Sequence, residues 1–292
     1  MTLTVALLLL ISASTIHAQG LPQTDIWLAT ISDDVPGNLT RINPGTGYNN
    51  QPLFSVDGSV IFYTREMPGN NGGVQTDIAA YKISSMVTTM VNATGESEYS
   101  PTPIPGRDAL SVIQADLEGR QLLWAIDINS GEMDLLLPGI EPVGYHTWFN
   151  NNSVAMFILG STFTLQTATL ADQTARIVGE NIGRTLRRHP QSGEVLFVDK
   201  NREPWLIAAF DPGSGDSRIV MSLFPGNEDF TIDQKGNYWT GNDSRLYRRS
   251  PGDNRWNLMA DFSAQGIHNI TRIAINPAGD KIAIVSDHIG SD

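Results

Sequence analysis

The chain has 292 residues, 40% of them hydrophobic and 17% charged, and contains no cysteine. A formal net charge of −12 repels phosphate backbones and anionic lipid, so nucleic acid is excluded as an expected partner. The lack of Cys removes disulfides, thiolate metal sites and cysteine nucleophiles together, while 27 Gly and 16 Pro suit a turn-rich β chain.

In chain order, residues 1–18 read as an export signal. An apolar run from Val5 to Ile11 is followed by small and polar residues and a cleavage point after Ala18, so that the mature chain starts at Gln19. The run is shorter than the roughly 20 apolar residues that span a bilayer. No membrane span is expected, and no Cys follows the run to carry a lipid. The reading is of a bacterial periplasmic or secreted monomer in which residues 19–292 form one domain.

From Asp25 onward two kinds of hairpin alternate. One kind begins with a short strand: Asp25–Thr30, Asp77–Lys82, Leu122–Asp127, Phe163–Ala168, Trp205–Phe210 and Arg245–Arg248. The other places a polar turn before an apolar run. Ser55-Val56-Asp57-Gly58 precedes Val60–Tyr63, and Asn276-Pro277-Ala278-Gly279 precedes Ile282–Val285. Between them lie Pro105-Gly106 before Leu110–Ile113, Asn150–Asn152 before Val154–Phe157, Pro190–Gly193 before Val195–Val198, and Asp233–Gly236 before Tyr238-Trp239. The six turns recur about 40 to 50 residues apart, which gives about four strands per period, the arithmetic of a propeller blade. No long stretch shows a 3.6-residue apolar face, so helix is not expected. His189 falls where other copies hold a core apolar residue, and Trp27, Trp124, Trp148, Trp205 and Trp239 read as packing between sheets.

Pro52-Leu53-Phe54-Ser55-Val56-Asp57-Gly58, the strand Val60–Tyr63, Gly72-Gly73 and then Asp77-Ile78 resemble the WD40-like (PD40) repeat of TolB-type propellers. That repeat runs Pro-x-Phe-Ser-Pro-Asp-Gly, an apolar strand, a Gly-containing loop and Asp-Ile-Tyr. Val56 stands for the repeat's Pro and Ala79 for its Tyr, while the last copy keeps Pro277. The resemblance implies an all-β, six-bladed β-propeller with four-stranded antiparallel blades. Because the chain opens with one hairpin type and closes with the other, the N- and C-terminal strands are expected to share a blade and seal the ring. TolB itself carries a further N-terminal α/β domain that this sequence is not expected to hold.

The residues just before each inner strand, the one that ends at the polar turn, are polar in every copy: Asn49-Asn50-Gln51, Tyr99-Ser100, Tyr145-His146, Arg184-Thr185, Glu228-Asp229 and Thr271-Arg272. Asn50, Ser100, His146, Arg184, Glu228, Asp229 and Arg272 are therefore the candidate partner-binding residues at one mouth of the channel. Arg184, Arg187 and Arg188 form a small basic cluster, either a docking patch or, as is more usual, a balance for nearby carboxylates. Only five His are present and His17 leaves with the signal, so no metal is expected. There is no Gly-x-Ser-x-Gly elbow and no Gly-rich phosphate loop, so neither catalytic residues nor a cofactor are expected. By resemblance to TolB, the expected function is a non-catalytic binding protein of the cell envelope that presents the mouth to a protein or peptide. The alternative is a propeller enzyme, a metal-assisted lyase, lactonase or glycan-acting hydrolase, with its site in the channel.

Overall fold

A computed structural model of the protein describes residues 20–69, 72–288 and 290, so the expected signal at 1–18 lies outside the described residues. The described chain folds into six antiparallel sheets arranged as blades around an axis, a six-bladed β-propeller. Blade 1 runs outward through Asn49–Phe54, Val60–Pro68, Val74–Lys82 and Val87–Met90. The first strands of blades 2 to 6 are Ser97–Pro103, Val143–Trp148, Ile182–Arg188, Thr231–Ile232 and Arg272–Ile275. These strands touch their counterparts in neighbouring blades, which places them around the central channel.

Second strands lie deepest. Ser153–Ile158 in blade 3 is buried along its whole length, because both faces of the sheet pack on adjacent blades. That double burial explains why these strands read as continuous apolar runs instead of alternating ones. Each of the six seams carries its own apolar cluster. Phe62, Ile78, Leu110, Val112 and Ile126 join blades 1 and 2, and Phe157, Leu186, Phe197 and Phe210 join blades 3 and 4.

The turn between first and second strands shows why the repeat has its residues. Gly58, Gly106, Gly193, Gly236 and Gly279 hold φ between 72° and 85°, the left-handed region that glycine enters without steric cost. Asp57 ties the blade 1 turn by accepting from Ser55 Oγ at 2.6 Å and Ser59 N at 3.0 Å. These bonds, the Ser55 hydroxyl foremost, hold its carboxyl down at about 2. His189 does the same work in blade 4, where Nδ1 accepts from the backbone of Gln191 and Ser192 at 3.3 and 3.2 Å. It is a turn cap and not a core substitute. The Asp-Ile pair of the repeat also has a structural role: Asn43 Oδ1 accepts from Ile26 N at 2.8 Å and Asn92 Oδ1 from Ile78 N at 2.9 Å, locking third strands to their loops.

The ring is closed as the hairpin phase implies. Thr24–Ser32 pairs with Lys281–Asp287 over seven residues, from Thr24 opposite Asp287 to Thr30 opposite Lys281. Trp27 Nε1 donates to Ser286 Oγ at 3.0 Å, and His288 Nδ1 lies 2.8 Å from Asp25 Oδ2 across the same seam. Val35–Pro36 and Thr40–Arg41 complete the outer side of this blade. Trp148 and Trp239 are buried between blades, with their indole N–H groups on Ser111 Oγ and Asp233 Oδ2. Among the described residues no helix is long and apolar enough to cross a membrane.

Candidate functional site

The polar residues expected just before the inner strands lie within, or at the edge of, those strands. Asn50, Ser100, His146 and Arg184 belong to the first strands of blades 1 to 4, and Arg272 begins that of blade 6. Their polarity follows from the channel, since a first strand has the axis along one edge where a second strand has the first strand of its own blade. Several of these strands are also bulged. The register slips between Asn50 and Leu53 and again between Tyr99 and Thr102, with Gln51 at φ 55° and Ser100 at φ 57°. Gln51 Oε1 holds both bulges by accepting from Ser100 N at 2.9 Å and Thr64 Oγ1 at 2.8 Å. Bulges of this kind re-aim side chains at a sheet edge.

A cavity of about 90 Å³ opens at this end of the channel, lined among others by Gln51, Ser100, Tyr145, His146, Arg184, Arg187 and Arg272. Asn50 is not in this lining; it is buried, and its Oδ1 accepts from Gln51 N at 2.7 Å. Asp229 lies beneath the cavity and only 1% exposed. It ties three blades together. Its Oδ2 accepts from Arg272 Nη1 at 3.0 Å and Thr185 Oγ1 at 3.3 Å, and its Oδ1 accepts from Ile273 N at 3.2 Å, with Arg187 Nη2 at 3.7 Å. Arg272 extends the tie to blade 3, donating from Nη2 to Tyr145 Oη at 2.7 Å. Such a pair is retained in a low-dielectric site because each charge satisfies the other.

Glu228 takes a different position, to one side. It pairs with Arg184, whose Nε lies 3.2 Å from Oε1, and with Lys200, which sits over the Trp205 ring at 4.1 Å. Gly183 makes this approach possible. A Cβ there would lie 2.8 Å from Glu228 Oε2 and 2.8 Å from Val198 Cβ. The basic cluster read in the sequence thus divides: Arg184 and Arg187 face the cavity and the two carboxylates, while Arg188 is exposed and donates to the Phe149 carbonyl at 3.3 Å.

His146 is part of a buried polar chain. Its Nε2 is 2.6 Å from Ser111 Oγ, which also accepts from Trp148 Nε1 at 2.8 Å and donates to the Thr102 carbonyl at 3.1 Å. With the hydroxyl proton on Thr102, the remaining bond is satisfied by His146 Nε2 as donor, leaving Nδ1 a bare acceptor. Burial pushes the imidazole down to about 3, so the ring is neutral at pH 7. The Ser–His spacing resembles a hydrolase dyad, but the chemistry does not follow. Ser111 is 0% exposed and saturated, and among the described residues no carboxylate orients His146 and its Nδ1 has no hydrogen-bond partner.

Sequence reasoning names Gln51 and Tyr145 in the polar segments without choosing them, takes Arg187 as one of a basic cluster, and does not see Ser111 as a site residue. Gln51 and Tyr145 stand beside chosen positions and share their strands, a usable signal. Ser111 lies in an apolar run and carries none. The donor set does not fit a divalent cation: among the described residues no group of three His, Asp or Glu side chains could hold a metal. The cavity instead presents three guanidinium groups, which repel one.

No protein-family model matches the sequence, and no curated protein matches it either. Solved structures do. A protein assigned as TolB from Agrobacterium tumefaciens superposes with TM-score 0.68 at 10% identity, over 93% of this chain and 100% of that one. TolB from Acinetobacter baumannii gives TM-score 0.58 at 12% identity, over 91% of this chain and 64% of that one. Oligogalacturonate lyase from Vibrio parahaemolyticus gives 0.58 at 13%, over 85% and 80%. At such identities the likeness concerns architecture, and the fold hosts many functions. In its six blades, its closing seam and its structural neighbours, the chain has the fold of a TolB-like β-propeller.

Proposed function

We propose that the protein is an exported, non-catalytic binding protein that presents the Arg-lined mouth of its propeller to a protein or peptide partner. The observation that carries this reading is the convergence of Ser100, Tyr145, His146, Arg184, Arg187 and Arg272, from four blades of the ring, on one cavity with an open mouth. A partner segment entering there meets fixed donors on a rigid ring, the arrangement from which binding sites gain specificity. Export to the periplasm or the exterior rests on the signal-like residues 1–18.

The test is affinity capture from an envelope extract with residues 19–292, followed by direct titration of the purified partner. Arg184→Gln, at the mouth, should weaken the complex, and Leu258→Glu, on the exposed outer strand of blade 5, should leave it intact. Loss with Leu258→Glu alone would move the site to the rim and refute the mouth.

A second reading is favoured by the structural likeness to oligogalacturonate lyase, one relative of which is described in complex with manganese. Under it the channel would serve catalysis, although the donor set of the described residues does not suit a divalent cation. Stoichiometric divalent ion in the purified protein, lost in His146→Ala, would favour this reading over the first.

A further inference from the structure

The channel mouth holds more positive charge than it neutralises. Arg184, Arg187, Lys200 and Arg272 gather around only two carboxylates, Glu228 and Asp229. Both carboxylates lie to the side of the cavity or beneath it, so the lining itself contains three arginines and no Asp or Glu. This excess sits inside a protein whose formal net charge is −12. A half-buried cluster of one sign in a concave, low-dielectric setting focuses its field on whatever enters.

Two further groups mark the cavity as a built site. Ser100 and His146 line it and are 9% and 6% exposed, and among the described residues the buried Oγ of the one and Nδ1 of the other have no hydrogen-bond partner. A buried polar atom without a partner is costly, and a ligand that supplies the missing bond relieves that cost. The two atoms differ in what they ask for. Arginine N–H groups and a serine hydroxyl suit an oxyanion, whereas the bare Nδ1 of His146 is an acceptor and suits an N–H donor.

From this we infer that the mouth binds a peptide through a carboxylate group, with Arg184 and Arg187 holding the carboxylate and His146 accepting from a peptide N–H. The inference rests on the proposed use of the mouth as a peptide site and names the chemistry of what it takes. A carboxylate with a nearby N–H is what a peptide carries, either at an Asp or Glu side chain or at its C-terminus. A free inorganic anion lacks the N–H. A sugar acid offers hydroxyl donors in place of the amide N–H, and digalacturonate is therefore a comparison ligand in the test.

The experiment titrates residues 19–292 with acetyl-Gly-Glu-Gly-amide, acetyl-Gly-Gln-Gly-amide and acetyl-Gly-Gly-Gly with a free carboxyl end, followed by calorimetry and amide chemical shifts. Digalacturonate and inorganic phosphate are the comparison ligands. The Glu peptide, the free-carboxyl peptide or both should bind about tenfold more tightly than the Gln peptide. Shifts should concentrate at Ser100 and His146, and the preference should vanish in Arg187→Gln. Which of the two peptides binds decides between side chain and C-terminus.

Equal binding of all three peptides, with shifts still at Ser100 and His146, overturns the carboxylate and leaves the mouth as a peptide site. Peptide-induced shifts confined to the outer strands overturn both. Absence of any peptide binding at millimolar concentration, or tighter binding of digalacturonate or phosphate, overturns the inference as stated. Should Arg187→Gln fail to fold, the Glu-against-Gln comparison on the unaltered chain still decides, and Ser100→Ala serves as the second variant.

Discussion

Two carboxylates lie inside the ring, and their surroundings treat them in opposite ways. Glu98, 0% exposed at the seam of blades 1 and 2, accepts only from neutral donors: Gln114 Nε2 at 3.0 Å, Thr94 Oγ1 at 2.7 Å and Asn92 Nδ2 at 2.9 Å. Burial outweighs these bonds, and with Asp77 nearby it pushes the Glu98 carboxyl up to about 7. Asp229, 1% exposed where blades 4, 5 and 6 meet, accepts from Arg272 with Arg187 alongside. Neutral donors leave a buried acid free to take up a proton. Around Asp229 the partners are cations, which bring surplus positive charge to the place where a ligand enters. One seam is therefore a structural joint with a titratable group, and the other is a joint that doubles as a recognition surface.

The comparison can be broken most directly at Asp229. Asp229→Ala should lower stability by about 3–5 kcal/mol, measured as the urea midpoint at pH 7, because Arg272 is left buried without its partner. Adding Arg272→Met to that variant should recover much of the loss, since an apolar replacement removes the stranded charge. If the single variant is as stable as the unaltered chain, the three-blade tie has no energetic role.

Glu98 should show itself through pH. Its folded pKa lies above that of the unfolded chain, so its protonated form favours folding. That contribution is complete below about 4.5 and is lost as pH rises through about 7, on the order of 3 kcal/mol in all. Glu98→Gln should flatten the stability profile across this window. An unchanged slope would show that the group is ionised throughout.

Smaller effects follow at the cavity and then at the surface. Arg187→Gln removes a cation 3.7 Å from Asp229 while leaving the Arg272 bond, and should cost about 1 kcal/mol of stability. Arg218 makes a two-pronged pair with Glu194 at 2.9 and 2.6 Å, yet its side chain is 58% exposed. Arg218→Ala should therefore cost less than about 1 kcal/mol, and less still in high salt. A larger loss there than at Arg187 would reverse the ranking of buried and exposed pairs.

Much of the architecture was legible because its signals are local. Asp57-Gly58 and Pro277-Ala278-Gly279 mark turns whose geometry depends on a few adjacent residues, and Val154–Phe157 or Ile282–Val285 announce strands buried on both faces. The site was legible only as a set of polar positions. Their place within the innermost strands, and not ahead of them, depends on bulges at Gln51 and Ser100 that no local pattern announces. His189 misled for a related reason: its ring nitrogen caps a turn that other blades close with Asp.

The amino-acid sequence by itself determined the number of blades and the shared closing blade, since period and phase are properties of order along a chain. Only the tertiary structure decided which charges meet. Arg272 reaches Asp229 from 43 positions away and Tyr145 from 127. Pairings at that range follow from how rigid blades pack around an axis, and side-chain charges become a site only once packing has removed the water between them.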